Sequence, residues 1–298
     1  MSESSLTPDQ IRELVTTRVR NPEAITEAAA ARTKAKSVLG DTGRAMIIAA
    51  DHPARGANKV GSDPSAMADR AELLGRMRAA LARPGVTGVL ATADILEDLL
   101  LLGALEGKSV FGSMNRAGLA GSSFEIDDRF TGYDAESIDR FGFDGGKMLT
   151  RIALDDPATP SILENTAHAV DALADRGRIA MVEPFISRWS DGKVQNDLSP
   201  EAITTSITIA SGLGRSSAYT WLKLPVADDV TAMARVLASS TLPVLLLGGE
   251  VSDADQAFAA WQHTLALPTV QGLVIGRSLL YPADGDVAGA VDRAVSLL

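Results

Sequence analysis

Short runs of apolar residues alternate along the chain with longer segments in which apolar residues recur every three or four positions. The runs are nearly continuous in hydrophobic residues, as expected for parallel strands buried on both faces, and the longer segments have the periodicity of helices. This alternation predicts an α/β fold, and the number of repeats favours a single (β/α)8 TIM barrel. The eight predicted strands are 45–50, 88–93, 109–114, 146–152, 179–185, 221–225, 244–248 and 273–276.

Several of the predicted helices carry start signals. Asp63 precedes a proline and opens a segment with helical spacing, and Ser199 likewise precedes a proline, as an N-cap residue does. Ser252 is predicted to cap a later helix. Two more helices, at 7–19 and 22–36, precede the first strand, and we expect this N-terminal extension to close the bottom of the barrel.

No repeat, low-complexity stretch or change in composition divides the 298 residues. We therefore predict one domain, with N-terminal helices in 1–40 and the barrel in 44–298. The net charge of −10 repels nucleic acid, and no apolar run reaches the ~18 residues that span a bilayer. Since the N-terminus also lacks the basic-then-apolar pattern of a signal peptide, we expect a cytoplasmic protein that binds neither nucleic acid nor membranes. Separately, we expect it to be a homo-oligomer.

The sequence holds no cysteine, so it offers no disulfide, thiolate metal site or cysteine nucleophile. Its three histidines, His52, His168 and His263, are far apart and lack the spacing of metal ligands. We expect neither a metal nor another cofactor.

A lysine interrupts the sixth predicted strand. Lys223 stands between Leu222 and Leu224, and because successive side chains of a strand point to opposite faces, it shares a face with Trp221 and Pro225. A lysine held inside a barrel loses its proton more readily and becomes a nucleophile toward carbonyl groups. The alternative is a lysine that extends from the barrel rim into solvent.

Three further charged residues stand in or at the end of apolar strands. Lys147 begins the fourth strand, Glu183 ends the fifth and Asp51 follows the first. A second ammonium would favour the neutral form of Lys223 or bind a phosphate, a carboxyl at Glu183 suits proton transfer, and Asp51 would hold a substrate hydroxyl or orient a lysine. Structural ion pairs of Lys147 with Asp51 or Glu183 are the alternative, because buried charge is costly unless it is paired.

Glycines and a cation follow the last two strands. Gly248 and Gly249 come after the seventh, and Gly276 and Arg277 after the eighth. In barrels these two loops often bind phosphate through exposed backbone N–H groups, so we predict an anion site here. Glycines needed only for turns are the alternative.

Two other places at the predicted mouth carry candidate binding residues. His52 and Arg55 follow the first strand and are placed to contact an anionic substrate, although His52 also fits a structural residue of the rim and Arg55 a solvated loop charge. The irregular stretch 115–143 follows the third strand, and loops of that length are usually functional or contain a short helix.

The order of these motifs resembles that of the class I aldolases, which include deoxyribose-phosphate, fructose-bisphosphate and tagatose-bisphosphate enzymes. The resemblance covers about residues 44–282. It implies that Lys223 forms the Schiff base, with Lys147, Glu183 and Asp51 as its assisting residues. It also implies that the glycine loops and Arg277 bind the phosphate of a ketose phosphate.

The chain is more closely similar to actinobacterial barrel proteins associated with inositol catabolism. This similarity implies cleavage of 5-dehydro-2-deoxy-6-phosphogluconate to dihydroxyacetone phosphate and malonate semialdehyde. Asp51 is followed by His-Pro where tagatose-type enzymes have Gln-Arg-Gly, so the sequence indicates the chemistry more strongly than the substrate.

Other interpretations remain open. Deoxyribose phosphate or a ketose phosphate, including a sulfo-sugar phosphate, would use the same lysine, and a non-catalytic phosphosugar-binding barrel would keep the pocket. A metal-dependent aldolase is disfavoured by the scattered histidines. If the substrate carries a carboxylate remote from its phosphate, a second cationic group is needed, and the sequence offers His52, Arg55, Arg116 and Arg129.

Overall fold

Eight parallel strands form a closed barrel, which confirms the predicted fold in the computed structural model describing residues 5–248 and 254–298. Each barrel strand pairs with the next one along the chain, and the last pairs with the first. The strands are β1 (Ala45–Ala50), β2 (Gly88–Ala91), β3 (Ser109–Ser113), β4 (Gly145–Ile152), β5 (Ile179–Ser190), β7 (Thr220–Leu224), β8 (Val244–Leu247) and β9 (Val270–Ile275). The remaining strand, β6 (Lys193–Asn196), lies outside the barrel, antiparallel to the outer end of β5.

Helices cover the outside of the barrel. They are α1 (Pro8–Arg20), α2 (Ala24–Ala31), α3 (Arg70–Leu81), α4 (Ala93–Leu101), α5 (Ala135–Arg140), α6 (Thr159–Ala174), α7 (Pro200–Ser211), α8 (Met233–Leu237), α9 (Ala254–Leu265), α10 (Arg277–Leu280) and α11 (Val287–Val295). Ser199 caps α7 as predicted, since its hydroxyl accepts a hydrogen bond from the Ala202 N–H. The cap predicted at Ser252 lies outside the described residues.

The period-two alternation of the strands divides the core into two layers. In β1, Ala45, Ile47 and Ala49 point into the barrel interior, where they join residues such as Phe111 and Leu245. The alternate residues of β1 instead belong to the larger layer between the barrel and the helices. The inward face of each strand is therefore known, and inward residues beyond the last apolar layer face the barrel mouth.

One predicted helix begins later in the chain than expected. Helix α3 begins at Arg70, not near Asp63, because the Asp69 carboxylate caps it by accepting from the Glu72 N–H at 2.9 Å. The Asp63 carboxylate accepts instead from the Ser65 N–H at 2.8 Å, which stabilises a local turn. The helical spacing of the sequence thus extends beyond the helix itself.

The N-terminal extension closes the barrel bottom through the segment that follows its helices. Helix α1 lies on the outside, where Arg18 pairs with Asp98 of α4 at 2.7 Å. Val38 and Leu39, beyond the end of α2, pack against the apolar residues of the barrel interior. The residues that pack against the barrel interior therefore come from the segment after the two predicted helices.

The stretch after β3 folds back onto the barrel mouth before it forms α5. The buried Asn115 side chain accepts from the Leu149 N–H at 2.9 Å and donates to the Leu149 carbonyl at 2.6 Å, so it extends the pairing of β4. In the part of the chain that the structure describes, no helix is long and apolar enough to span a membrane.

Candidate active site

A cleft of about 700 Å³ opens at the carboxyl ends of the barrel strands. Its volume is in the range of small-molecule sites, and its position is where barrel enzymes carry their chemistry. Every predicted site residue within the described residues lines this cleft, namely Asp51, His52, Arg55, Lys147, Glu183, Lys223, Gly248, Gly276 and Arg277. Gly249 lies outside the described residues.

Lys223 points into the barrel. Its neighbours Leu222 and Leu224 belong to the layer under the helices, whereas Trp221 packs against the interior. The alternation predicted for this strand is therefore observed, and Lys223 is only 4% exposed. A lysine that extends from the rim into solvent does not fit this burial.

Glu183 is the direct partner of Lys223. The Lys223 Nζ donates to Glu183 Oε1 at 2.5 Å. The pairing of β5 with β7 places Glu183 beside Lys223, because Val182 and Leu222 are opposite each other in the register. The other carboxylate oxygen, Oε2, forms an ion pair with Lys147.

Lys147 and Asp51 continue the same buried cluster. The Lys147 Nζ donates to Asp51 Oδ2 at 3.0 Å, and Arg116 Nη2 donates to the same oxygen at 2.6 Å. Three formal cations, Lys147, Lys223 and Arg116, thus surround two carboxylates, Asp51 and Glu183, which leaves the cluster with one excess positive charge. The ion pairs considered as an alternative role for Lys147 are present, and they connect the candidate catalytic groups to one another.

These contacts keep both carboxylates ionised. Burial raises the pKa of Glu183, but the neighbouring charges of Lys147 and Lys223 outweigh burial and lower that pKa from 4.5 to about 2. Burial also raises the pKa of Asp51, and the charges of Lys147 and Arg116 reverse this and hold it well below 3.8. Burial, assisted by the charge of Lys223, lowers the pKa of Lys147 despite its two carboxylate partners. The cluster therefore places ionised carboxylates, which can accept protons, next to the buried Lys223 side chain.

His52 and Arg55 differ in how available they are to a ligand. Burial lowers the pKa of His52 from 6.5 to about 3, so its ring is neutral near pH 7. Arg55 donates to the Asn115 carbonyl at 2.7 Å and the Gly118 carbonyl at 3.1 Å, and it forms an ion pair with Asp128. Its guanidinium lines the cleft but mainly fixes the loop after β3.

The glycines after β8 and β9 lie where strands approach closely. A Cβ on Gly276 would lie 2.4 Å from the Ala49 carbonyl oxygen, and one on Gly248 would lie 2.8 Å from Ile275 Cγ2. Packing alone thus requires Gly276, whether or not it also binds an anion. Arg277 begins the four-residue helix α10 and lines the cleft beside these glycines.

Sequence reasoning missed one cation of the site and the partners of another. Arg151 is not among the predicted site residues, although it lies in the fourth predicted strand and its spacing of four from Lys147 puts both on one face. Arg116 was a candidate substrate cation, and its contact with Asp51 joins residues 65 positions apart, which no local signal predicts.

Comparisons with known proteins agree with this architecture. The family model described as Cgl0159-like matches residues 43–295. The crystal structure of Cgl0159 from Corynebacterium glutamicum is 52% identical, covers 98% of this chain and 97% of its own, and superimposes with a TM-score of 0.94. Among curated proteins, none matches the chain.

Class I aldolases share the fold at low identity. A Schiff-base-forming fructose-1,6-bisphosphate aldolase is 18% identical, covers 92% of this chain and 99% of its own, and has a TM-score of 0.64. The fructose-bisphosphate aldolase from Slackia heliotrinireducens is 16% identical, with coverages of 98% and 92% and a TM-score of 0.59. At these identities the likeness concerns the fold. Because the family match spans most of its length, the chain belongs to the Cgl0159-like family.

Proposed function

We propose that this protein is a class I aldolase in which Lys223 forms a Schiff base with the keto group of a phosphorylated sugar or sugar acid. The observation that carries the proposal is the contact of Lys223 Nζ with Glu183 at 2.5 Å inside a buried, charged cluster on the cleft floor. An amine with an adjoining proton acceptor is what imine formation requires.

The first half of the reaction uses this pair. Transfer of one proton from the Lys223 ammonium to Glu183 gives an amine and a carboxylic acid. The amine nitrogen attacks the keto carbon, and the carbonyl oxygen takes the proton from Glu183 to become the hydroxyl of a carbinolamine. The nitrogen then gives its extra proton to Glu183, which passes it to the hydroxyl, and water leaves to produce a protonated imine.

The second half breaks the carbon–carbon bond. A base accepts the proton of the hydroxyl on the departing carbon, that carbon becomes an aldehyde, and the bonding electron pair moves into the imine to give an enamine. Asp51 is a suitable acceptor because Lys147 and Arg116 keep it ionised. Protonation of the enamine carbon and hydrolysis of the imine release the ketone product and restore Lys223.

The phosphate is assigned to the loops after β8 and β9. Gly276 and Arg277 line the cleft there together with Gly248, and a guanidinium fork suits a phosphate. The site must bind this anion against the overall charge of −10, which a local cation makes feasible.

For the substrate we propose 5-dehydro-2-deoxy-6-phosphogluconate, cleaved to dihydroxyacetone phosphate and malonate semialdehyde as in inositol catabolism. The motif similarity supports this choice, as does a cleft with cations on more than one wall. Fructose 1,6-bisphosphate is the second candidate, because it too has an anionic group at each end.

A substrate panel tests the proposal. We expect kcat/KM to be highest for 5-dehydro-2-deoxy-6-phosphogluconate when it is compared with fructose 1,6-bisphosphate and deoxyribose 5-phosphate. Lys223→Arg keeps a cation but cannot form the imine, so it should abolish cleavage. Preference for deoxyribose 5-phosphate would contradict the substrate, and activity that survives Lys223→Arg would contradict the mechanism.

A further inference from the structure

The inward face of β4 carries a second cation nearer the mouth than Lys147. Lys147, Leu149 and Arg151 alternate along this face, and all three line the cleft. Four residues of a strand span ~13 Å, so the Arg151 backbone lies about that much nearer the mouth than the Lys147 backbone. The Arg151 side chain is 14% exposed and lines the cleft.

The ion-pair partner of Arg151 is Glu125, which lies away from the cleft. Glu125 pairs with Arg151 Nη2 at 3.0 Å and accepts from the Gly121 N–H at 2.7 Å. Arg151 lines the cleft and Glu125 does not, so this wall presents the cation while the carboxylate stays within the protein.

Two guanidinium groups on this side keep unused donors. Arg151 Nε and Arg116 Nε are both buried, and neither has an acceptor among the described residues. A buried N–H without a partner is unfavourable, so a ligand oxyanion that draws these groups toward it would gain hydrogen bonds that the free protein lacks. Arg116 also lines the cleft, beside Asp51.

The barrel order places this wall opposite the loop that contains Arg277. In the ring of eight strands, β4 is four positions from β9, and β7 with Lys223 lies midway between them. Lys223 therefore lies between the Arg277 loop and Arg151 in the order of the strands around the mouth.

We propose that Arg151, supported by Arg116, forms a second anion subsite for the carboxylate or phosphate that the substrate carries at the end remote from its first phosphate. This inference rests on the proposed function and specifies its substrate class as keto compounds with an oxyanion at both ends. A planar guanidinium with free donors matches either oxyanion.

The other arginines near this wall fit the role less well. Arg55 is held by the Asn115 and Gly118 carbonyls and by Asp128. The Arg129 side chain is 72% exposed, pairs with Asp127 and does not line the cleft. Arg129, on the loop that also contains Arg116, therefore serves as a control arginine outside the cleft.

Equilibrium binding tests the subsite without turnover. In a Lys223→Met background, Lys147 still pairs with Glu183, and titration calorimetry can measure three ligands. Fructose 1-phosphate has one anionic group, fructose 1,6-bisphosphate adds a phosphate, and 5-dehydro-2-deoxy-6-phosphogluconate has a carboxylate as its second anion. We expect both doubly anionic ligands to bind more tightly than fructose 1-phosphate, and Arg151→Gln to reduce this preference roughly tenfold to a hundredfold.

Controls separate the subsite from loss of folding. Arg151→Gln leaves the buried Glu125 carboxylate without its ion-pair partner, which can destabilise the protein. The double variant Arg151→Gln/Glu125→Gln removes both charges and so avoids this unpaired carboxylate. Both should lose the preference, and Arg129→Gln should keep it. The subsite is refuted if the doubly anionic ligands show no preference in the Lys223→Met background, or if the preference survives in either Arg151 variant. Failure of the aldolase proposal is recognised separately, by wild-type protein that cleaves neither 5-dehydro-2-deoxy-6-phosphogluconate nor any ketose phosphate.

Discussion

Replacement of Glu183 by glutamine should separate imine formation from turnover. Glutamine keeps the shape of the side chain but removes a proton acceptor that contacts Lys223 through one oxygen and Lys147 through the other. The Lys223 amine and the phosphate loops remain, so a ketone still reaches the nucleophile. The variant then lacks the carboxyl group that protonates the carbinolamine hydroxyl so that water can leave.

The expected magnitudes follow from the burial of the site. Loss of a positioned acid–base group lowers kcat by ~10²–10⁴-fold. Removal of one partner from a buried ion pair costs about 3–5 kcal/mol, because Glu183 is only 7% exposed and its two lysines become less well compensated. For a domain of 298 residues, that corresponds to a fall in Tm of roughly 5–8 °C.

Steady-state cleavage, borohydride trapping and thermal unfolding measure these effects on one preparation. Glu183→Gln should still give a reduced adduct at Lys223, more slowly than the wild type, while its kcat collapses. Glu97→Gln makes the same chemical change at an ion pair with Arg18 on the outside of the barrel and should leave kcat unaltered. A Glu183→Gln protein with wild-type kcat would refute the assignment of Glu183 as the proton carrier.

Three further predictions follow from the cleft walls. Arg277→Ala should raise KM by roughly tenfold to a hundredfold and change kcat less, and an unaltered KM would place the phosphate elsewhere. His52 has a folded pKa of about 3 against 6.5 unfolded, so its stabilising contribution is complete above pH 6.5 and falls as the pH is lowered. Between pH 6.5 and pH 5, chemical denaturation should show a fall in the free energy of unfolding that is up to ~2 kcal/mol larger for the wild type than for His52→Gln. This figure is an upper bound because the imidazole is 28% exposed. An equal fall in both proteins would contradict the burial of a neutral His52. Gly276→Ala should lower the free energy of unfolding by about 1–3 kcal/mol because the added Cβ would contact the Ala49 carbonyl. Gly212→Ala should not, because the atom nearest to its added Cβ is 3.6 Å away. Equal Tm values for the two variants would contradict the close approach at Gly276.

The strands and the inward direction of Lys223 could be predicted because both depend on local pattern. Hydrophobic continuity marks a buried strand, and a period of two fixes which side chains share a face. The same rule places Arg151 on the same face of β4 as Lys147.

The partners of the charged residues could not be predicted, because they depend on long-range contacts. Arg55 has the sequence context of a solvated loop cation, yet Asp128 and two carbonyls that are 60 and 63 residues away hold it in place. Helix α3 illustrates a different limit. Its helical spacing extends back to Asp63, and only the competing turn there and the cap at Asp69 set its true start.

Covalent trapping at Lys223 tests the central claim most directly. The wild-type protein is incubated with dihydroxyacetone phosphate and borohydride, and the reduced adduct is located by peptide mass spectrometry. We predict one adduct per chain, at Lys223, and no adduct in the Lys223→Arg variant. An adduct at Lys147 would show that the roles of the two lysines are reversed, and absence of any adduct with dihydroxyacetone phosphate or 5-dehydro-2-deoxy-6-phosphogluconate would contradict Schiff-base chemistry in this cleft.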